Sequence, residues 1–250
     1  MASHLSDIGF QLETDEDYRQ LALRAYDEGE PLATAAGAYV RWAPGGGAEL
    51  WLQVDEGGDL VGLNPHFGGG SSMRVGLTQR FSRTEESPLD GAFHAWANPG
   101  GDDPHEGDYP FVFDAPDYGL HDSVSLPSVA RVQLAAFAHE LQSFEGDEAY
   151  SRSQAGEVKF APESFIPSGL FSAEGQSTEP PQAFAIFTGH VLDTDIVQNP
   201  VTGNGFCWAR VRTLGGELDV VADPALLNGP MIRGGVVSGA FWLSGRIIRV

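Results

Sequence analysis

A chain of 250 residues with 42% hydrophobic content can bury one large core or two modest ones, which excludes disorder along its whole length. A net charge of −21 and a pI near 4.4 argue against general affinity for nucleic acid or an anionic membrane, because polyanions repel each other at long range. The single cysteine, Cys207, excludes an intramolecular disulfide and a thiolate metal cluster. With no bilayer-length apolar run and no signal-peptide pattern after Met1, the expectation is a soluble cytoplasmic protein without a membrane partner.

The charge is uneven. Residues 1–180 carry 30 acidic against 9 basic side chains, and residues 181–250 carry 5 against 5, which predicts an acidic domain up to 180 and a neutral one from 181. Ser3 to Leu12 reads as a strand. Thr14 with Asp17 three residues on is an acidic variant of the capping box. Tyr18, Leu21, Ala22, Ala25 and Tyr26 then share one helical face, and Gly29 is placed to end the helix in a left-handed conformation. Gly37–Trp42, Ala48–Val54 and Asp59–Leu63 follow as strands, giving the order βαβββ.

Further on, Ser72–Phe81, Gly91–Asn98 and Tyr109–Asp114 are strand candidates. Val129–Leu141 fits either period and is read as a strand, with a short helix near Asp147–Ser153. Residues 172–182 have a linker's composition. Beyond them, Ala183–Leu192, Phe206–Leu214, Glu217–Ala222 and Val236–Val250 read as strands, with Asp223-Pro224 capping a short helix. The fold class is therefore α+β and mainly β.

Two resemblances follow. The βαβββ opening, carried by Ser3-His4-Leu5 and Gly46-Gly47-Ala48-Glu49-Leu50-Trp51, resembles one module of the vicinal oxygen chelate (glyoxalase and bleomycin-resistance) superfamily. That resemblance implies a divalent metal held by His4 and Glu49, with His94, His139 or Glu140 as middle-segment candidates. Alternation along the strand puts Glu49, Trp51 and Gln53 on the face away from the helix, where they would meet a metal or a small polar ligand. The family's second module is not legible. Residues 183–250 are similar in element order and glycine placement to the five-stranded OB-fold barrel.

Other chemistry finds little support. Asp102, Asp103, His105, Glu106 and Asp108 lack EF-hand spacing and read as an exposed acidic loop, and Gly68-Gly69-Gly70-Ser71-Ser72 lacks the Lys and following helix of a phosphate cradle. His66 sits at a turn where it would line a pocket. In the last domain, alternation puts Phe206, Trp208, Arg210 and Arg212 on one face and Cys207, Ala209 and Val211 on the other. Such a face holds single-stranded nucleic acid in some barrels, but the surplus of carboxylates favours arginines paired within the chain and aromatics packed against the first domain.

The function expected from the sequence is therefore non-catalytic: a binding or interaction protein, taking a protein or small-molecule partner and using Trp51, Gln53, Phe206, Trp208, Arg210 and Arg212. The alternatives are a metal-dependent lyase, isomerase or dioxygenase using His4, Glu49 and His139, and single-strand nucleic-acid binding by the barrel.

Overall fold

The computed structural model describes residues 4–83, 87–155, 159–170 and 181–249. The protein is mainly β, with two α-helices and two sheets among the described residues. Residues 4–12 are not a strand. They form turns around a one-turn 3-10 helix, Ser6–Ile8: Ile8 and Phe10 are both fully buried, which strand alternation would allow, but Asp7 and Gly9 on either side of Ile8 are buried too. The Asp7 carboxylate accepts a hydrogen bond from Asp223 N (2.8 Å), and Asn199 donates to Ile8 O (2.8 Å), so side chains and neighbouring backbone take the place of a strand partner.

Helix α1 (Asp15–Glu28) starts as its sequence requires. Thr14 Oγ1 accepts from Asp17 N at 3.1 Å, and the Asp17 carboxylate accepts from Thr14 N at 2.9 Å. Gly29, in contrast, is extended, since the chain turns directly into β1 (Glu30–Thr34). Strand β1 was hidden in the sequence by Pro31, which an edge strand tolerates. It leads an antiparallel meander of β1, β2 (Gly37–Gly45), β3 (Ala48–Val54) and β4 (Leu60–Phe67), so the opening order is αββββ rather than βαβββ. Val40, Trp42, Leu50, Leu52 and Val54 pack with Leu21 and Ala25 of α1, and each fully buried Leu of this kind contributes about 1.5–3 kcal/mol.

The second sheet has nine strands: β5 (Met73–Ser82), β6 (Gly91–Ala97), β7 (Pro110–Asp114), β8 (Ser128–Phe144), β9 (Ser164–Ile166), β10 (Phe184–Gln198), β11 (Gly205–Thr213), β12 (Gly216–Ala222) and β13 (Val236–Arg249). Helix α2 (Asp147–Ser153) lies between β8 and β9. The pairings close two five-strand rings. One runs β10-β11-β12-β8-β13 and back to β10, the other β5-β6-β7-β13-β8 and back to β5. Long strands β8 and β13 pair with each other and belong to both rings.

Each long strand pairs through its first half with the opening strand of its own ring, then crosses to lie parallel to the third strand of the other. The two halves, β5-β6-β7-turn-β8 and β10-β11-β12-turn-β13, thus share one topology with their last strands exchanged. The charge boundary at residue 181 falls inside this sheet, whose strands come from both sides of it. The expected linker lies almost wholly outside the described residues.

Candidate functional site

The face of the four-stranded sheet that carries Glu49, Trp51 and Gln53 is covered: all three are buried. The cover is the shared pair β8–β13 with the turn after β7, and between the two layers lies a polar seam. Glu49 is its hub. Arg41 holds both carboxylate oxygens (Nε 3.1 Å, Nη2 2.5 Å), Trp51 Nε1 donates at 3.0 Å, and Arg246 of β13 approaches to 3.7 Å. Burial works against the charged carboxylate, but the guanidinium of Arg41, with Arg246 beside it, holds the Glu49 pKa below the usual range. Arg246 also donates to buried Asp117 (3.1 Å), whose other oxygen lies 3.0 Å from His121 Nε2. These contacts overcome burial and depress the Asp117 pKa as well.

His66, opposite Glu49 across β3–β4, is fully buried. Desolvation lowers its pKa against the pull of Glu49, so the ring is neutral at neutral pH. Its tautomer follows from its neighbours. Gln133 Nε2 lies 3.1 Å from both Phe67 O and Asp219 Oδ2, so the Gln133 carbonyl faces His66 Nε2 (2.8 Å), which must donate. His66 Nδ1 then accepts from the Ser244 hydroxyl (2.9 Å). A hydroxyl–imidazole–amide relay has the polarity that activates a nucleophile. Ser244 is only 1% exposed, however, so the relay fastens the two layers together rather than meeting a substrate. Asp219 is satisfied by four donors, from Ser71 N, Ser71 Oγ, Gln133 and Trp208 Nε1.

The glycine run passes over these carboxylates. A Cβ on Gly68 would lie 2.6 Å from Glu49 Oε1, and one on Gly69 would fall into the Asp219 carboxylate. Close approach, not phosphate binding, is the reason for glycine there.

The other expected site residues separate. His4 is not with Glu49. Its ring stacks on Trp242 (4.5 Å between centroids, 25°) and lies 4.9 Å from His139, which makes an edge contact with Phe184 (5.3 Å). Among the described residues no group of three or more His, Cys, Asp or Glu side chains is placed to hold a metal ion. Phe206 is buried and packs with Trp208 on Phe67; Arg210 faces Glu217 (3.8 Å) and Arg212 binds Glu163 (2.9 Å). Strand β11 alternates, with Cys207, Ala209 and Val211 inside the core and its outward face largely occupied by the chain itself. His94 binds Thr78 (2.6 Å).

What the sequence did not suggest is a cleft of about 260 Å³ where the N-terminal segment, the four-stranded sheet and both rings meet. His4, Trp242 and Phe184 form its aromatic side. Asn64 with Asp90 (3.1 Å) and Arg83 with Asp114 (2.6 Å) form its polar side, and Trp242 Nε1 donates to Asp114 (2.6 Å). Neither a protein-family model nor a curated protein nor a solved structure matches this chain. No helix among the described residues is long and apolar enough to cross a membrane.

The cleft opens onto the outer face of β9–β10–β13–β8. Register puts Ile166, Ile186, Ala240 and Glu140 in one row across the four strands, with Phe184, Trp242 and Phe137 in the next. Helix α2 covers one end of this face, where Tyr150 meets Thr188 (3.2 Å) and Phe144. His4 covers the other. Between them Ile186 is 46% exposed, Ile166 39% and Phe184 37%, and Glu140 and His139 reach solvent.

Proposed function

We propose that this protein is a binding module that docks a basic, partly apolar segment of a partner protein on the strip between α2 and His4, with the aromatic cleft as anchor. The observation that carries the reading is the exposed row Ile166–Ile186, continuous with Phe184 at the cleft mouth and ending at the Glu140 carboxylate. Exposed apolar groups gathered in one place mark interaction surfaces more often than scattered ones do. Aromatic faces beside the solvent-reaching Glu140 carboxylate suit Lys or Arg side chains. The net charge of −21 attracts basic partners at long range.

Ring β5-β6-β7-β13-β8 runs first-second-third-fifth-fourth in chain order with one parallel pairing, and β10-β11-β12-β8-β13 matches it with β8 exchanged into the fifth place, which supports reading both as OB-like barrels. In that reading the binding surface is not the outward face of β11, which the N-terminal segment and β4 occupy, but the outer face of the strands that the rings share.

The test uses two synthetic decapeptides, one alternating Leu and Lys and one alternating Leu and Glu, titrated calorimetrically into the protein and into Ile186→Asp. The Leu-Lys peptide should bind, weaken as salt rises, and bind Ile186→Asp at least about tenfold less tightly, a loss of about 1.4 kcal/mol. The substitution adds a negative charge, so mere charge attraction would strengthen. Equal or tighter binding to Ile186→Asp would overturn the reading.

A further inference from the structure

His190 lies on β10 where that strand passes from β13 to β11, and its two ring nitrogens face two carboxylates. Nε2 is 2.7 Å from Asp147 in the first turn of α2, and Nδ1 is 2.8 Å from Glu163 just before β9. A carboxylate only accepts, so both nitrogens must carry hydrogen, and the ring in this arrangement is an imidazolium. Glu163 is shared with Arg212 of β11, the cross-strand partner of His190, at 2.9 Å. Glu145, Glu148, Arg152 and Gly234 line the cavity of about 470 Å³ beside the ring.

We propose that His190 is a proton-operated clamp: protonated, it holds the first turn of α2 against β10 through Asp147, and on losing its proton it releases that turn. A neutral imidazole donates through one nitrogen only. Glu163, anchored by Arg212 and the less exposed of the two carboxylates, keeps the remaining N–H at Nδ1, while Asp147, whose side chain is 62% exposed, would face the Nε2 lone pair and turn to water. Partial burial of the ring opposes its charge, but the Glu163 and Asp147 carboxylates outweigh that and raise its pKa. The sign follows. A folded-state pKa raised above the ordinary value of about 6.5 means the clamp is at full strength below 6.5 and is lost as pH rises through the raised value.

Helix α2 also walls the docking strip, but the clamp concerns the fit of α2 on its own barrel and stands whether or not a partner binds. Its test is amide hydrogen exchange of residues 147–153, corrected for intrinsic rates, from pH 6 to pH 8.5, beside an NMR titration of the His190 ring. The wild type should lose protection in α2 by roughly two- to fivefold, as expected for a partly exposed ion pair. His190→Gln should show the low protection at every pH, and Asp147→Asn should move the ring's titration midpoint down. A wild-type α2 whose protection does not change with pH, a His190→Gln helix that keeps the wild-type dependence, or a midpoint unmoved in Asp147→Asn would overturn the proposal.

Discussion

At the scale of the residue, Glu49 measures what the seam is worth. Replacing it with Gln would leave Arg41 and Arg246 facing an uncharged amide in a layer where Trp51 also needs its acceptor. Breaking a buried pair costs about 3–5 kcal/mol, and the partial exposure of both arginines lowers the expectation for Glu49→Gln to about 2–3 kcal/mol in urea unfolding. The pH dependence has the opposite sign to that of His190. Glu49 and Asp117 have depressed pKa values, so their contribution is complete above the ordinary carboxylate range and is lost as pH falls through the folded values. Wild-type stability should therefore drop below about pH 4, and Glu49→Gln should show a shallower drop; equal slopes would mean that Glu49 does not titrate as described. Sequence alternation put Glu49 on the correct face. It could not show that β8 and β13, distant in the chain, cover that face, and an open polar face and a covered one have the same pattern.

At the scale of the element, local signals were read well wherever one residue carries the physics. Thr14 and Asp17 fix the start of α1, and Asp223 caps the short turn at Pro224–Leu226 as its composition requires. Errors arose where a distant contact overrides the local pattern. Residues 4–12 alternate like a strand but are held by Asn199, Thr202 and Asp223, and Gly29 is extended because β1 follows at once. The Gly68–Gly70 loop allows a paired experiment. Gly69→Ala would drive a methyl into the Asp219 carboxylate and should cost about 1–3 kcal/mol as an overpacked site. Gly70 has open space around its Cβ position, so Gly70→Ala should change the thermal midpoint little. Equal shifts for the two would mean that the loop does not rest on Asp219 as described.

At the scale of the whole molecule, the exchange of β8 and β13 explains why a charge boundary and a fold boundary do not coincide. Charge is set by surface residues, whereas ring closure is set by backbone pairing, and only the first is visible in composition. The two halves share a topology without a shared residue pattern, so the repeat is legible in strand order alone. The exchange makes a definite statement about residues 181–250. This fragment holds β10–β13 but not β8, so β13 would lose its partner along most of its length and β12 its partner at Asp219–Val221. Leu218, Val220 and Phe241 would lose part of the core that Leu134, Ala136 and Ala138 now complete. Expressed alone, it should give a poorly dispersed amide spectrum and no cooperative melt, while residues 128–250, which restore β8, should show more ordered β structure by circular dichroism. Long unpaired edges are also what drives strands to associate, so the shorter fragment should aggregate where the longer one does not. A well-dispersed, cooperatively melting 181–250 fragment would mean that four strands close without the fifth, and that β8 is an addition to an independent domain rather than a part of its wall.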